Sequence, residues 1–459
     1  MRGATDAIER HHVTTTPVPP KFSDLGVPAP IVGALARDGK STAFPIQAET
    51  LPDSLAGRDL LGRGKTGSGK TLAFSIPLVA RLAATGGRST RRPGRPRGLV
   101  LAPTRELATQ IAAVLAPIAR ACGLTTTTIF GGVRQNSQVA ALKAGADIVV
   151  ACPGRLEDLI KQGFVTLDDI EIAVLDEADH MADLGFLPAV TRLLAATPRG
   201  GQRLLFSATL DNGVDKLVTR FLNNPTRHSI DEATSPVPAM SHHILEVSTP
   251  DHKKELVRTL ASGTGRRILF MRTKHHAKRL AKQLTVEGIP AVDLHGNLSQ
   301  AQRDRNLAAF GEGSVRVLVA TDVAARGVHV DHVELVVHVD PPTEHKAYLH
   351  RSGRTARAGR AGDVVTIVLP DQRRDLTKVL RAADISAVPQ KLNSARDASV
   401  AELVGEVAPH VAPAPQQERA GLNSRGNGAR APRASASRSR TAGSSKRPGR
   451  PHRRAVRSA

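Results

Sequence analysis

Short runs of consecutive apolar, often β-branched residues alternate with longer stretches of helical spacing along most of the chain. In the first half the runs are DLL at Asp59, GLVL at Gly98, TTTTIF at Thr125, DIVV at Asp147, IAVL at Ile172 and RLLF at Arg203. In the second half they are HILEV at His243, RILFM at Arg267, VRVLVA at Val315, VELVVH at Val333 and DVVTIV at Asp363. Runs that are continuous rather than alternating fit strands covered on both faces. The stretches between them, such as ELATQIAAVLAPIAR from Glu106, repeat apolar residues three and four apart, as an amphipathic helix does. The pattern predicts an α/β fold with two parallel-sheet domains in tandem. Ligands of such sheets bind beyond the carboxyl ends of the strands, so chemistry is sought just after these runs.

The pattern lapses in three places. The first twenty residues are polar and proline-rich, and DEATSPVPAM at Asp231–Met240 reads as a linker after a long folded stretch. From Val411 onward the chain carries eleven Arg and one Lys against Glu418 alone, with abundant Gly, Pro, Ser and Ala and no aromatic residue. Such a segment cannot bury enough apolar surface to offset its ordering entropy, so disorder is expected. The expected organisation is a loose segment 1–20, a first domain 21–230, a linker 231–240, a second domain 241–390 and a low-complexity basic tail 391–459.

Charge and composition narrow the class. Lys and Arg number 64 against 42 Asp and Glu, a formal net charge of +22, which implies a polyanionic partner. At 40% hydrophobic residues the chain can still build large aliphatic cores, although it has ten Phe, one Tyr and no Trp. No apolar run approaches the length of a membrane span, and the first residues lack the apolar core of a secretory signal. Cys122 and Cys152 stand in no CxxC pattern, against a disulfide scaffold or a thiolate zinc site. A soluble cytoplasmic protein is expected.

After the first apolar run, Gly64-Lys65-Thr66-Gly67-Ser68-Gly69-Lys70-Thr71 fits GxxxxGK[ST]. Glycines let the backbone N–H groups close around phosphates, a helix start adds its dipole, Lys70 reaches the β- and γ-phosphates, and Thr71 ligates Mg²⁺. About a hundred residues on, IAVL runs into Asp176-Glu177-Ala178-Asp179. A carboxylate at the end of an apolar strand is costly to desolvate unless it meets a cation, and the nucleotide's Mg²⁺ is that cation. Asp176 is expected to hold the metal, partly through water, and Glu177 to orient and deprotonate the attacking water.

These motifs, with others in the same order, resemble those of the DEAD-box RNA helicases from about Phe22 to Gly362. The resemblance implies two tandem RecA-like domains, with ATP as fuel and Mg²⁺ as cofactor. Phe22 and the FPIQ ending in Gln47 resemble the motif that recognises adenine in that family, joining Gly64 to Thr71 in the ATP site. Pro103, Thr104 and Arg105, the pair Gly131-Gly132, and Pro153, Gly154 and Arg155 resemble RNA-binding motifs of the first domain. Gln300, Arg303 and Thr321 resemble those of the second. Ser207 and Thr209 of the SAT segment, with Asp179, Asp322, Arg326 and His350, resemble the residues that couple hydrolysis to strand separation. In HRSGRTARAG from His350, Arg354 and Arg357 resemble arginine fingers. A planar guanidinium reaching across a cleft stabilises charge on the transferring phosphoryl, so hydrolysis would require the domains to close.

The chain departs from that pattern at Cys152, where Thr is usual, and at His329, where Asp is usual. A thiol is the weaker partner for a phosphate oxygen, and the ribose contact is put in question. The near-absence of aromatics favours recognition of RNA by its backbone, independent of sequence. The implied function is an ATP-dependent RNA helicase unwinding short duplexes or remodelling ribonucleoprotein, with ribosomal or RNA-decay complexes as candidate partners. The alternatives are an ATP-gated RNA clamp and a helicase acting on DNA. The repeated Arg92-Pro93-Gly94-Arg95-Pro96 and Arg447-Pro448-Gly449-Arg450-Pro451 resemble the core of an A·T minor-groove hook, which would add DNA binding.

Overall fold

The structure, a computed structural model, describes residues 19–64, 67–86, 91–209, 212–229, 240–325, 328, 330, 332–356 and 361–412. Lys65, Thr66, Arg326, His329 and Arg357 lie outside them, as do residues 231–239 of the expected linker, the first eighteen residues and the chain from 413 onward.

The apolar runs form two seven-stranded sheets in which every pairing is parallel. The first comprises β1 Leu60–Arg63, β2 Gly98–Leu101, β3 Thr126–Ile129, β4 Ile148–Ala151, β5 Ile172–Leu175, β6 Gln202–Ser207 and β7 Thr226–Ser229, in the order β3-β4-β2-β5-β6-β1-β7. The second comprises β8 Met240–Glu246, β9 Arg266–Phe270, β10 Ala291–Leu294, β11 Val317–Ala320, β12 Val333–His338, β13 Gly362–Val368 and β14 Pro389–Lys391, in the order β10-β11-β9-β12-β13-β8-β14. Successive strand residues face opposite sides. In the first lobe Leu60, Val100, Val150, Val174 and Phe206 meet helices Lys70–Ala84 and Arg105–Ala121 on one face. Leu61, Leu99, Val149, Ala173 and Leu205 meet helices Pro153–Lys161 and Leu187–Ala195 on the other. Burial on both faces is why the runs read as continuous. Among the described residues no helix is long and apolar enough to cross a membrane.

Every expected run overlaps a strand, and three strands, β7, β10 and β14, come in addition; all three are sheet edges. The second domain also extends past its expected end at residue 390. Leu392, Ala395, Val400 and Val404 are buried in the second lobe's core, and the buried guanidinium of Arg267 donates to the carbonyls of Leu260 and Val404. Low-complexity character therefore does not begin at 391: the chain is folded to residue 412.

The first RPGRP copy is not an extended hook. Arg92 and Arg95 bridge across a tight turn with Gly94 at φ +68°, where a Cβ would lie 2.9 Å from the Phe164 carbonyl oxygen. Arg95 grips Asp169 through Nε at 2.7 Å and Nη2 at 2.8 Å, so its guanidinium is committed within the fold. The second copy lies outside the described residues.

Candidate functional site

β1 ends at the phosphate-binding loop and β5 ends at the acidic motif, with β6 between them in the sheet. Gly67 and Gly69 adopt φ of 91° and 92°, a region that L side chains avoid, and helix Lys70–Ala84 starts immediately afterwards. The Gly64 N–H donates to the Ser207 carbonyl at 3.2 Å, fastening the loop to β6. A Cβ at Gly64 would stand 2.9 Å from Ser68 Oγ, the hydroxyl end of a side chain free to rotate. Lys70, 7% exposed, donates from Nζ to the Gly64 carbonyl oxygen at 2.7 Å. Ser68 Oγ is buried and finds no partner among the described residues, an orphaned donor in a loop shaped to surround oxygen.

Gln47 is buried and spends its amide locally. Nε2 donates to the Gly69 carbonyl at 2.9 Å, while Oε1 accepts the Phe44 N–H at the start of helix Pro45–Leu55. Phe22, expected to touch adenine, is 1% exposed and packs in the first lobe's core, so its ring is not offered to a ligand. Phe44 is 52% exposed, with its ring beside Gly69. It stands within the FPIQ segment quoted for adenine, but its approach to the loop is visible only in space.

Asp176 and Glu177 are both deeply buried. Burial pushes the Asp176 carboxyl up to about 7, against the nearby charge of Lys70 and with the charge of Glu177. This is a carboxylate that lacks a cation strong enough to hold it ionised, as expected of a metal ligand. Burial would likewise raise Glu177, but the hydrogen bond and charge of His180, then Arg354 and Lys70, hold it well below the usual carboxylate range. Glu177 itself has φ 51° and ψ 53°, a left-handed backbone that costs a non-glycine residue roughly 1 kcal/mol or more and aims the side chain off the strand end. Among the described residues no three His, Cys, Asp or Glu converge on one point. Mg²⁺ suits this donor set, because it is held by one or two protein oxygens plus substrate phosphates.

Asp179 ties the acidic motif to the end of β6. Its N–H donates to Ser207 Oγ at 3.2 Å, and its Oδ2 accepts from Thr209 N at 3.1 Å and Thr209 Oγ1 at 3.2 Å. From the second lobe, helix His345–Ser352 brings His350 to 6.4 Å from His180, ring centre to ring centre. Arg354 donates to the carbonyls of Val328 and His350, and its charge reaches Glu177. Arg351, which the sequence reading did not single out, clasps Asp322 through Nη2 at 2.8 Å and so joins two of the expected coupling motifs.

The expected RNA contacts gather at one rim. Thr104 caps helix Arg105–Ala121 through its hydroxyl at 3.2 Å, and Gly132 lies under the Arg105 guanidinium, where a Cβ would collide with it. Gly131 and Gly154 have open space at the Cβ position, and Pro153 is buried. Arg155 reaches the Val133 carbonyl at 3.4 Å. Arg105 Nη1 donates to Gln300 Oε1 at 2.8 Å, and Arg303 Nε pairs with Glu106 Oε1 at 2.9 Å, so the rim residues of both lobes meet. Thr321 lies between β11 and Asp322, its N–H on the Leu294 carbonyl. Cys152 leaves helix Pro153–Lys161 without a side-chain cap, and burial, reinforced by Glu106, pushes its thiol up to about 12. A groove of about 1130 Å³ lies at the opposite, amino-terminal rim of the first sheet, and none of the residues expected to meet ATP or RNA lines it.

A phosphate loop, a paired acidic motif and an arginine from a second parallel-sheet lobe define a nucleoside triphosphatase of the P-loop class. Comparison with known proteins narrows this. The DEAD/DEAH box helicase family matches residues 44–217, and the helicase conserved C-terminal domain matches residues 251–359. The ATP-dependent RNA helicase RhlB of Sodalis glossinidius is 39% identical over 366 residues, covering 78% of this chain and 87% of its own. The chloroplastic DEAD-box ATP-dependent RNA helicase 3A of Zea mays is 40% identical over 363 residues, 78% of this chain and 48% of its own. The chain spans about half the length of several such plant relatives. The structure of S. cerevisiae Dbp5 bound to RNA and ADP BeF3 superposes with a TM-score of 0.72 at 28% identity, covering 84% of this chain and 100% of that one. The chain belongs to the DEAD-box helicase family, and its two sheets are the family's tandem RecA-like domains.

Proposed function

We propose that the chain is an ATP-dependent RNA helicase of the cytoplasm, which separates short duplexes or remodels ribonucleoprotein locally. The observation that carries this reading is Glu177, a buried carboxylate with Oε2 3.0 Å from His180 Nδ1 of its own lobe and in the field of Arg354 from the other and of Lys70. Lys70 exchanges the Gly64 carbonyl for phosphate oxygens. Thr71 and Asp176 would hold Mg²⁺, which when bound neutralises charge on the phosphates. Glu177, held as a carboxylate, orients the attacking water more than it strips its proton. Arg354, with Arg357 as the expected second finger, stabilises the charge that develops as the phosphoryl transfers. Phe44 offers the exposed ring that a nucleobase beside the loop would cover.

The rim from Arg105 to Gln300 offers guanidiniums, backbone N–H groups and open glycines, a surface for phosphates and 2′-hydroxyls rather than for base edges. RNA- and nucleotide-bound relatives of the same fold support this partner. The test is Glu177→Gln. Turnover should fall to near background while ATP-dependent retention of RNA persists, and robust hydrolysis would remove Glu177 from the mechanism. Unwinding assays on matched RNA and DNA duplexes separate this reading from a DNA helicase.

A further inference from the structure

His180 follows the acidic motif directly and lies on the first turn of helix Ala178–Asp183. The residue is 4% exposed. Nδ1 stands 3.0 Å from Glu177 Oε2, and Nε2 is buried with no hydrogen-bond partner among the described residues. The ring of His350, from the second lobe, approaches it at 6.4 Å between centres. A buried ring nitrogen without a partner forfeits about 1–3 kcal/mol of desolvation, so an apolar residue here would be the more stable choice. The cost is borne where the imidazole touches the carboxylate that hydrolysis needs.

The geometry assigns His180 as a positioning residue for Glu177. Donation from Nδ1–H to Oε2 occupies one carboxylate oxygen, fixes the rotation of the carboxyl plane, and leaves Oε1 as the oxygen that can receive a water. Nε2, the ring's other nitrogen, is left without a partner among the described residues, and the ring of His350 lies 6.4 Å away between centres. Glu177 has a left-handed backbone and needs such a partner, since its strand no longer dictates where its side chain points.

This assignment rests on Glu177 being the hydrolytic carboxylate, and the experiment separates the two. RNA-stimulated ATP hydrolysis and ATP-dependent RNA retention are measured on the full chain for the natural protein, Glu177→Gln, His180→Ala, His180→Asn and His180→Gln. The expected result is a kcat about 10- to 100-fold lower for His180→Ala, with the KM for ATP and the RNA retention little changed, as for loss of orientation alone. His180→Asn, whose amide nitrogen sits as many bonds from Cβ as Nδ1, should recover much of that loss. His180→Gln, which places its nitrogen one bond further out, should not. If Glu177→Gln still hydrolyses ATP, the reading of Glu177 falls and this assignment with it. If Glu177→Gln is inactive while His180→Ala turns over at the natural rate, His180 alone loses its role. Should His180→Ala also lose RNA retention, the two amide variants decide: equal loss in both overturns the assignment, and recovery confined to Asn upholds it.

Discussion

The ring of His338 lies wholly inside the second lobe, with Nδ1 3.0 Å from Thr366 Oγ1 and an edge-on contact with Tyr348. Burial, and then the charges of Arg351 and His242, hold it neutral well below its ordinary pKa of 6.5. Well above pH 6.5 neither the folded nor the unfolded chain carries this proton, and His338 contributes nothing to pH dependence. Below it the unfolded chain binds a proton that the folded one refuses, so stability falls with pH by up to about 1.4 kcal/mol per unit. Denaturant midpoints between pH 7.5 and 5.5 should therefore decline more steeply for the natural protein than for His338→Gln; parallel slopes would contradict this. At this scale the sequence was legible where a motif names its residues, as at Lys70 and Asp176. It was silent where a role depends on approach in space: nothing in the string distinguishes buried Phe22 from exposed Phe44, or marks His180 as a partner of Glu177.

Helix Pro153–Lys161 begins without the side-chain bond that starts some other helices of the molecule. Thr104, Thr249 and Thr273 each cap a helix by accepting an N–H at 3.2–3.3 Å, whereas the thiol of Cys152 accepts none. Cys152→Thr should stabilise the first lobe by about 1 kcal/mol, the usual worth of an N-cap. An unchanged denaturation midpoint would show that the hydroxyl turns elsewhere. The same scale explains which strands were read correctly. Interior strands are apolar on both faces and announce themselves, as IAVL and VRVLVA do. β7 (TRHS), β10 (AVDL) and β14 (PQK) lie at edges, where half the environment is solvent and the pattern fades. β3 is also an edge, but TTTTIF betrays it through its β-branched residues.

For the whole molecule, charge divides between a folded pair of lobes and the segment from 413 onward, which holds about half the net charge of the chain. If that segment neutralises about six phosphates on single-stranded RNA, it contributes about −4 to the slope of log affinity against log salt. Removing residues 413–459 should leave the catalytic rate at saturating RNA intact, raise the RNA needed for half-maximal rate and flatten that slope. An unchanged slope would assign those cations to solubility alone. The boundary between fold and tail was misplaced because Leu392, Val400 and Val404 are sparse among polar residues, and their burial depends on helix Pro250–Ala261 and on strands distant in sequence. Lys70, turned inward onto the Gly64 carbonyl, has a consequence for discrimination. Any ligand entering the loop competes with a neutral dipole already in place, and only a group of concentrated negative charge binds an ammonium substantially better. The loop thus ranks ligands by charge number before shape is consulted: adenosine gains nothing from Lys70, a monophosphate little, and a triphosphate most.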